Sequence, residues 1–143
     1  MKKIYLIIIT SVLFAACKTA KLDGPERFVV FGNGGGIVGK EHTYKISSLG
    51  VFKVANSDDS AREIKIKVSR KTLKKIFALT DSLQKNMPGF NNPGNIYYFI
   101  SINNNVEKPD YTWGQTGFIA PEPVTRLYAM LKKIKDSGKI LKE

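Results

Sequence analysis

A single thiol and a single imidazole are the most reactive side chains that this sequence offers. Cys17 is its only cysteine and His42 its only histidine. One cysteine excludes an internal disulfide and a cysteine-rich metal site, and one histidine is too few for a histidine-based zinc centre. No G-x-S-x-G segment supplies a nucleophilic serine for His42 to activate. The sequence therefore predicts a protein that is not an enzyme, with no catalytic residue, metal or cofactor; a small hydrolase that uses His42 is the alternative.

The residues before Cys17 give that cysteine a specific setting. Lys2 and Lys3 are followed by thirteen uncharged residues, 4–16. At about 1.5 Å a residue, a helix of this length covers roughly 20 Å, which is less than the hydrocarbon core of about 30 Å. A basic start, a short apolar run and small residues at its end are typical of a secretory signal peptide. We therefore expect residues 1–16 to be a signal rather than a membrane span.

The end of this segment carries a resemblance. Ala15, Ala16 and Cys17 resemble the lipobox of bacterial lipoproteins, in which Phe14 would usually be Leu, Val or Ile. The resemblance implies cleavage before Cys17, a diacylglycerol thioether on its sulfur and an acyl chain on its new amine. Two or more acyl chains hold a protein stably on a bilayer. Lys18 stands where the inner-membrane retention signal has aspartate, which implies residence at the outer membrane of the cell envelope.

The rest of the chain has the composition of one small globular domain. The full sequence has 143 residues, of which 43% are hydrophobic and 24% charged. We expect a polar tether over 17–26, a domain over 27–136 and a tail over 137–143. Alternating segments predict strands, Ser69 is typical of the residue that caps a helix over 70–85, and Pro123 opens a second helix. The sequence predicts an α+β fold, an antiparallel sheet of four to six strands with two helices packed on one face.

A glycine-rich segment invites a nucleotide-binding interpretation. Gly34, Gly36 and Gly39 satisfy G-x-G-x-x-G, and Lys40 nearly completes a phosphate loop, but Glu41 replaces the magnesium-binding hydroxyl. A phosphate loop also needs a helix directly after it. Residues 43–46 alternate as a strand does. We therefore expect a glycine-rich hairpin or bulge here and no bound nucleotide.

Basic residues are concentrated in two places, Lys65, Lys67, Arg70, Lys71, Lys74 and Lys75 in one and Lys132, Lys133 and Lys135 in the other. Removal of Lys2 and Lys3 with the signal would leave 21 basic against 12 acidic residues, a side-chain charge of +9. Behind an export signal the available anions are envelope polymers and lipid headgroups, so we expect no nucleic-acid partner. Two interpretations stay open, a solvated surface and a surface that binds envelope anions.

Aromatic residues suggest where a partner would bind. Tyr97 and Phe99 point away from the face that carries Ile96, Tyr98 and Ile100. Either helices cover both faces of this strand, or one aromatic face meets a partner. The loop 114–118 follows the only tryptophan, and loops on a rigid sheet commonly carry recognition. The predicted contact residues are Trp113, Gln115 and Phe118.

The layout after the tether resembles emfourin, a family of small bacterial inhibitors of protealysin-like, thermolysin-type metalloproteases. The matching residues are Gly34, Gly35, Gly36, Gly39, Tyr44, Ile46, Leu73, Phe77, Phe90, the strand Tyr97 to Ile102, Leu127 and Leu131. The resemblance spans about 28–135 and implies an α+β fold, a metalloprotease partner and occlusion of its cleft. It places no inhibitory residue, and the lipid-anchored tether and the loop at Asn91, Asn92 and Pro93 depart from it.

Overall fold

The computed structural model describes residues 25–37, 39–56, 62–64, 66, 68–102 and 108–137. The predicted signal peptide, Cys17, most of the tether, Lys65, Lys67 and nearly all of the tail lie outside the described residues. Within the described part the chain forms one mixed sheet with two helices on it, which confirms the predicted α+β class.

The sheet has seven strands in the described ranges, in the order β4-β3-β2-β1-β6-β7-β5. They are β1 (Phe28–Gly35), β2 (His42–Ser47), β3 (Phe52–Asn56), β4 (Arg62–Ile64), β5 (Phe90–Asn92), β6 (Ile96–Ser101) and β7 (Tyr111–Trp113). All neighbours are antiparallel except β5 and β7, which are parallel. The predicted antiparallel sheet of four to six strands differs from this one only in detail, by one further strand and by the one parallel pair. The segment of β5 looks like a loop in the sequence because its pairing partner, β7, lies about twenty residues away.

Helix α1 (Arg70–Asn86) begins where the sequence predicts. The hydroxyl of Ser69 accepts a hydrogen bond from the backbone N–H of Thr72 at 3.2 Å, which satisfies one of the amide donors that a helix start leaves unpaired. Helix α2 (Glu122–Ser137) has Pro123 in its first turn, where a missing N–H costs no hydrogen bond.

One face of the sheet, called the helix face here, carries the core. Alternate strand residues turn towards both helices and are buried, namely Val29, Phe31, Ile46, Phe52, Ile100 and Tyr111. The helices meet them with Leu73, Ile76, Phe77 and Leu83 of α1 and with Val124, Leu127, Leu131 and Ile134 of α2. Because both described helices pack on this face, the other face, called the second face, must be covered in another way.

Candidate functional site

The second face is covered by aromatic rings that lie across a strand of glycines. Phe99 pairs directly with Gly32, and Tyr97 pairs with Gly34. A Cβ atom on Gly32 would lie 2.7 Å from Cζ of Phe99, and one on Gly34 would lie 2.5 Å from the Tyr97 oxygen. The two rings therefore occupy the space that side chains at Gly32 and Gly34 would need. This arrangement is neither of the two that the sequence suggests, since no described helix covers these rings and Phe99 is fully buried.

The carboxylate of Glu41 lies beside the Tyr97 ring and accepts two hydrogen bonds. The Tyr97 hydroxyl donates a hydrogen bond to Oε2 of Glu41 at 2.8 Å, and the Thr43 hydroxyl donates one to Oε1 of Glu41 at 3.0 Å. The bond to Glu41, with burial second, raises the pKa of Tyr97 above its usual value. Lys40 and Glu41 lead directly into β2 rather than into a helix. The glycine-rich segment is thus part of a hairpin, as predicted, and has no helix start to hold a phosphate.

Three neighbouring strands, β1, β6 and β7, have ends on the same side of the sheet, which we call the glycine end. It consists of the end of β1 at Gly35, the start of β6 at Ile96 and the residue after β7, Gly114. Gly35 pairs with Ile96, and the N–H of Gly36 donates to the Asn95 carbonyl oxygen at 2.7 Å. Gly114 has a φ of +145°, and a Cβ there would lie 2.2 Å from the Ile96 carbonyl oxygen. Only glycine allows the β6 and β7 backbones to approach this closely.

Three isoleucines of the described ranges are exposed, and one of them, Ile96, lies at the glycine end. Ile96 is 57% exposed, although Ile100 on the same face of β6 is fully buried. Four residues of strand cover about 13 Å, so the helices stop covering the sheet within that distance. Ile37, two residues after the end of β1, and Ile119, in the connection from β7 to α2, are also exposed, the latter by 89%.

The three predicted contact residues belong to different surroundings. Trp113 is half-buried and packs edge-on against Tyr128 at a ring-centroid distance of 5.2 Å. Its ring also lies 5.8 Å from that of Tyr98, at an angle of 31° between the planes. Phe118 is half-buried against Phe90, 5.2 Å away between ring centroids. Gln115 alone is exposed, and its backbone N–H donates to the Asn92 carbonyl oxygen at 3.1 Å.

The sequence does not indicate that Ile96 and Ile119 are exposed. Ile96 shares the two-residue period of Ile100, so its alternation predicts burial, and only the length of the helices decides otherwise. Ile119 stands alone beside Phe118 and has no period at all. The flanking glycines of the sheet end were the available signal, because they mark a place where the chain turns at the surface.

The basic residues lie on the outer surfaces of the helices. Arg70, Lys71, Lys74 and Lys75 of α1 and Lys132 and Lys133 of α2 are all exposed. Lys135, grouped with the latter two in the sequence, is instead half-buried: its Nζ lies 5.2 Å from the Tyr44 ring centroid and 3.4 Å from Oδ1 of Asp136.

Within the described ranges, no three His, Cys, Asp or Glu side chains approach closely enough to hold a metal ion. His42 is exposed at the start of β2. No helix in those ranges combines the length and hydropathy that crossing a bilayer requires.

No family model matches the chain, and no curated protein is significantly similar to it in sequence.

Proposed function

We propose that this chain is a lipid-anchored protein of the cell envelope, attached through Cys17, whose folded domain acts by binding another protein. The lipobox resemblance at Ala15, Ala16 and Cys17 supports the anchor. Acyl chains contribute about 0.8 kcal/mol for each buried methylene, so a diacylated and N-acylated Cys17 would hold the domain at a bilayer permanently.

The exposed isoleucines carry the binding part of this proposal. Exposed apolar side chains on a rigid scaffold are a common feature of protein-binding surfaces. Ile96 begins β6 and pairs with Gly35 of β1. Ile119 follows the turn in which the N–H of Phe118 donates to the Gln115 carbonyl oxygen at 3.0 Å. Burial of one isoleucine in a partner is worth about 1.5–3 kcal/mol.

The specific partner that we propose is a thermolysin-type metalloprotease, which the resemblance to emfourin implies. The glycine end would enter the cleft and exclude substrate by occlusion. Inhibition by occlusion would need no reactive group on this chain, and Gln115 and Ile96 are exposed side chains at the proposed surface.

The test measures cleavage by several thermolysin-type proteases in the presence of the domain begun at Lys21. We expect the native domain to inhibit cleavage. The affinity of the domain for the protease should fall about 10-fold or more in Ile96→Lys or Ile119→Lys. Leu49→Lys is the matched control, because Leu49 is also an exposed aliphatic residue, 68% accessible, but lies at the opposite end of the sheet. Unchanged cleavage with every protease would refute the proposal that the domain is a protease inhibitor. Equal losses of inhibition in all three variants would refute the proposed binding surface.

A second candidate function is the binding of anionic envelope polymers or headgroups, which the exposed lysines of both helices favour. Binding of this kind would weaken steeply as salt rises, whereas contact through isoleucines would not. For the hydrolase alternative, His42→Ala would abolish any hydrolytic activity, and full retention of that activity would exclude it.

A further inference from the structure

The outward surface of α1 and α2, called the helix layer here, has an excess of positive charge. The two helices contain nine basic residues and three acidic ones. Each acidic residue is already paired: Asp81 with Arg27, Glu122 with Arg126 at 3.6 Å and Asp136 with Lys135. The seven remaining cations are exposed and form no ion pair with another described residue: Arg70, Lys71, Lys74, Lys75, Lys85, Lys132 and Lys133.

Among the residues that the structure describes, the second face of the sheet has no such excess. Lys45 and Lys53 lie there beside Glu26, around a shallow cleft of about 240 Å³, and Glu41 adds a further carboxylate. The Nζ of Lys45 is held 3.8 Å from the Phe28 ring centroid. In the described part of the chain, two opposite sides of the domain therefore differ in charge.

The chain enters the domain beside α1. The Arg27 guanidinium pairs with the Asp81 carboxylate and lies 5.1 Å above the Phe77 ring. Cys17 precedes Pro25, the first described residue, by eight positions, and eight residues span at most about 29 Å when fully extended. A lipid anchor at Cys17 would therefore keep the start of the domain, and with it α1, close to the bilayer.

We propose that the helix layer lies against the anionic phospholipid surface to which the chain is anchored, with the second face of the sheet turned away. This orientation rests on the proposed anchor at Cys17. Basic side chains near an anionic bilayer are attracted within about one Debye length, roughly 10 Å at 0.1 M salt. The tether brings the helix layer within reach, and the seven cations then select which side of the domain meets the lipid.

Lysine acetylation of the mature protein on vesicles tests the orientation, because the chain contains its own controls. The protein purified from membranes is bound to vesicles of phosphatidylcholine alone or mixed with equal phosphatidylglycerol, and acetylation rates are read by mass spectrometry. In the anionic vesicles we expect Lys74, Lys75 and Lys133 to react at least about threefold more slowly than on phosphatidylcholine. Lys40 and Lys53 should keep their rates, and about 0.5 M salt should remove the difference, since the Debye length is then about 4 Å.

Charge reversal provides the matched variants. Lys74→Glu with Lys133→Glu should abolish the protection of Lys75, whereas Lys40→Glu with Lys53→Glu, an equal change in net charge, should preserve it. Equal protection of all lysines, or protection that is the same on both vesicles, would overturn the orientation while leaving the anchor intact. Failure to sediment with phosphatidylcholine vesicles would contradict the anchor, and sedimentation with only the anionic vesicles would then still support the surface.

Discussion

A methyl group added to Gly32 tests how the second face of the sheet is built. In Gly32→Ala the new Cβ would lie 2.1 Å from the His42 carbonyl oxygen and 2.7 Å from Cζ of Phe99. Neither atom can yield cheaply, because the first belongs to the paired strand β2 and the second to a ring that is only 1% exposed. Overpacking costs about 1–3 kcal/mol, and outward displacement of the ring would add about 2 kcal/mol.

We therefore expect Gly32→Ala to lower the free energy of unfolding by about 3 kcal/mol, measured by urea denaturation of the domain. Gly36→Ala is the matched control: its Cβ would meet no atom within 4 Å, and its φ of +78° should cost only about 1 kcal/mol. The reasoning would be refuted if Gly32→Ala were no more destabilising than Gly36→Ala.

Three further predictions concern single side chains. Burial raises the pKa of Tyr128, whose hydroxyl donates to the Gly32 carbonyl oxygen at 3.2 Å; above pH 10 the unfolded chain loses this proton first, so stability should fall as pH rises. Tyr128→Phe should cost about 1 kcal/mol at pH 8 and flatten that alkaline decline, and identical pH slopes in urea titrations would contradict this. Ser69→Ala should lower the free energy of unfolding by about 1 kcal/mol by removing the cap of α1, whereas an unchanged melting temperature would argue against the cap. Ile119→Lys should change stability by less than about 0.5 kcal/mol, and a larger loss in calorimetry would mean that Ile119 supports the fold.

Local signals in the sequence predict the helices and the glycine hairpin well. Ser69 and the spacing of Leu73, Ile76 and Phe77 define α1 to within one residue at its end, because capping and periodicity act over neighbouring turns. The alternation after Lys40 correctly separates β2 from a phosphate-loop helix. These features depend on interactions between residues that are close in the chain.

Non-local contacts account for what the sequence does not predict. Asn91 pairs with Thr112, and nothing in either short segment indicates a parallel partner. The fit of Phe99 over Gly32 needs the register of β1 against β6. The exposure of Ile96 depends on where the helices end above the sheet. Each of these is fixed by the packing of distant segments.

The lipid anchor is the claim on which the proposed function and the membrane orientation both depend. Intact-mass spectrometry of the protein extracted from membranes measures it directly. We expect a chain that begins at Cys17 and is heavier than its amino-acid mass by a diacylglycerol group and an additional acyl chain. A chain that still carries Met1, or one whose Cys17 is an unmodified thiol, would contradict it.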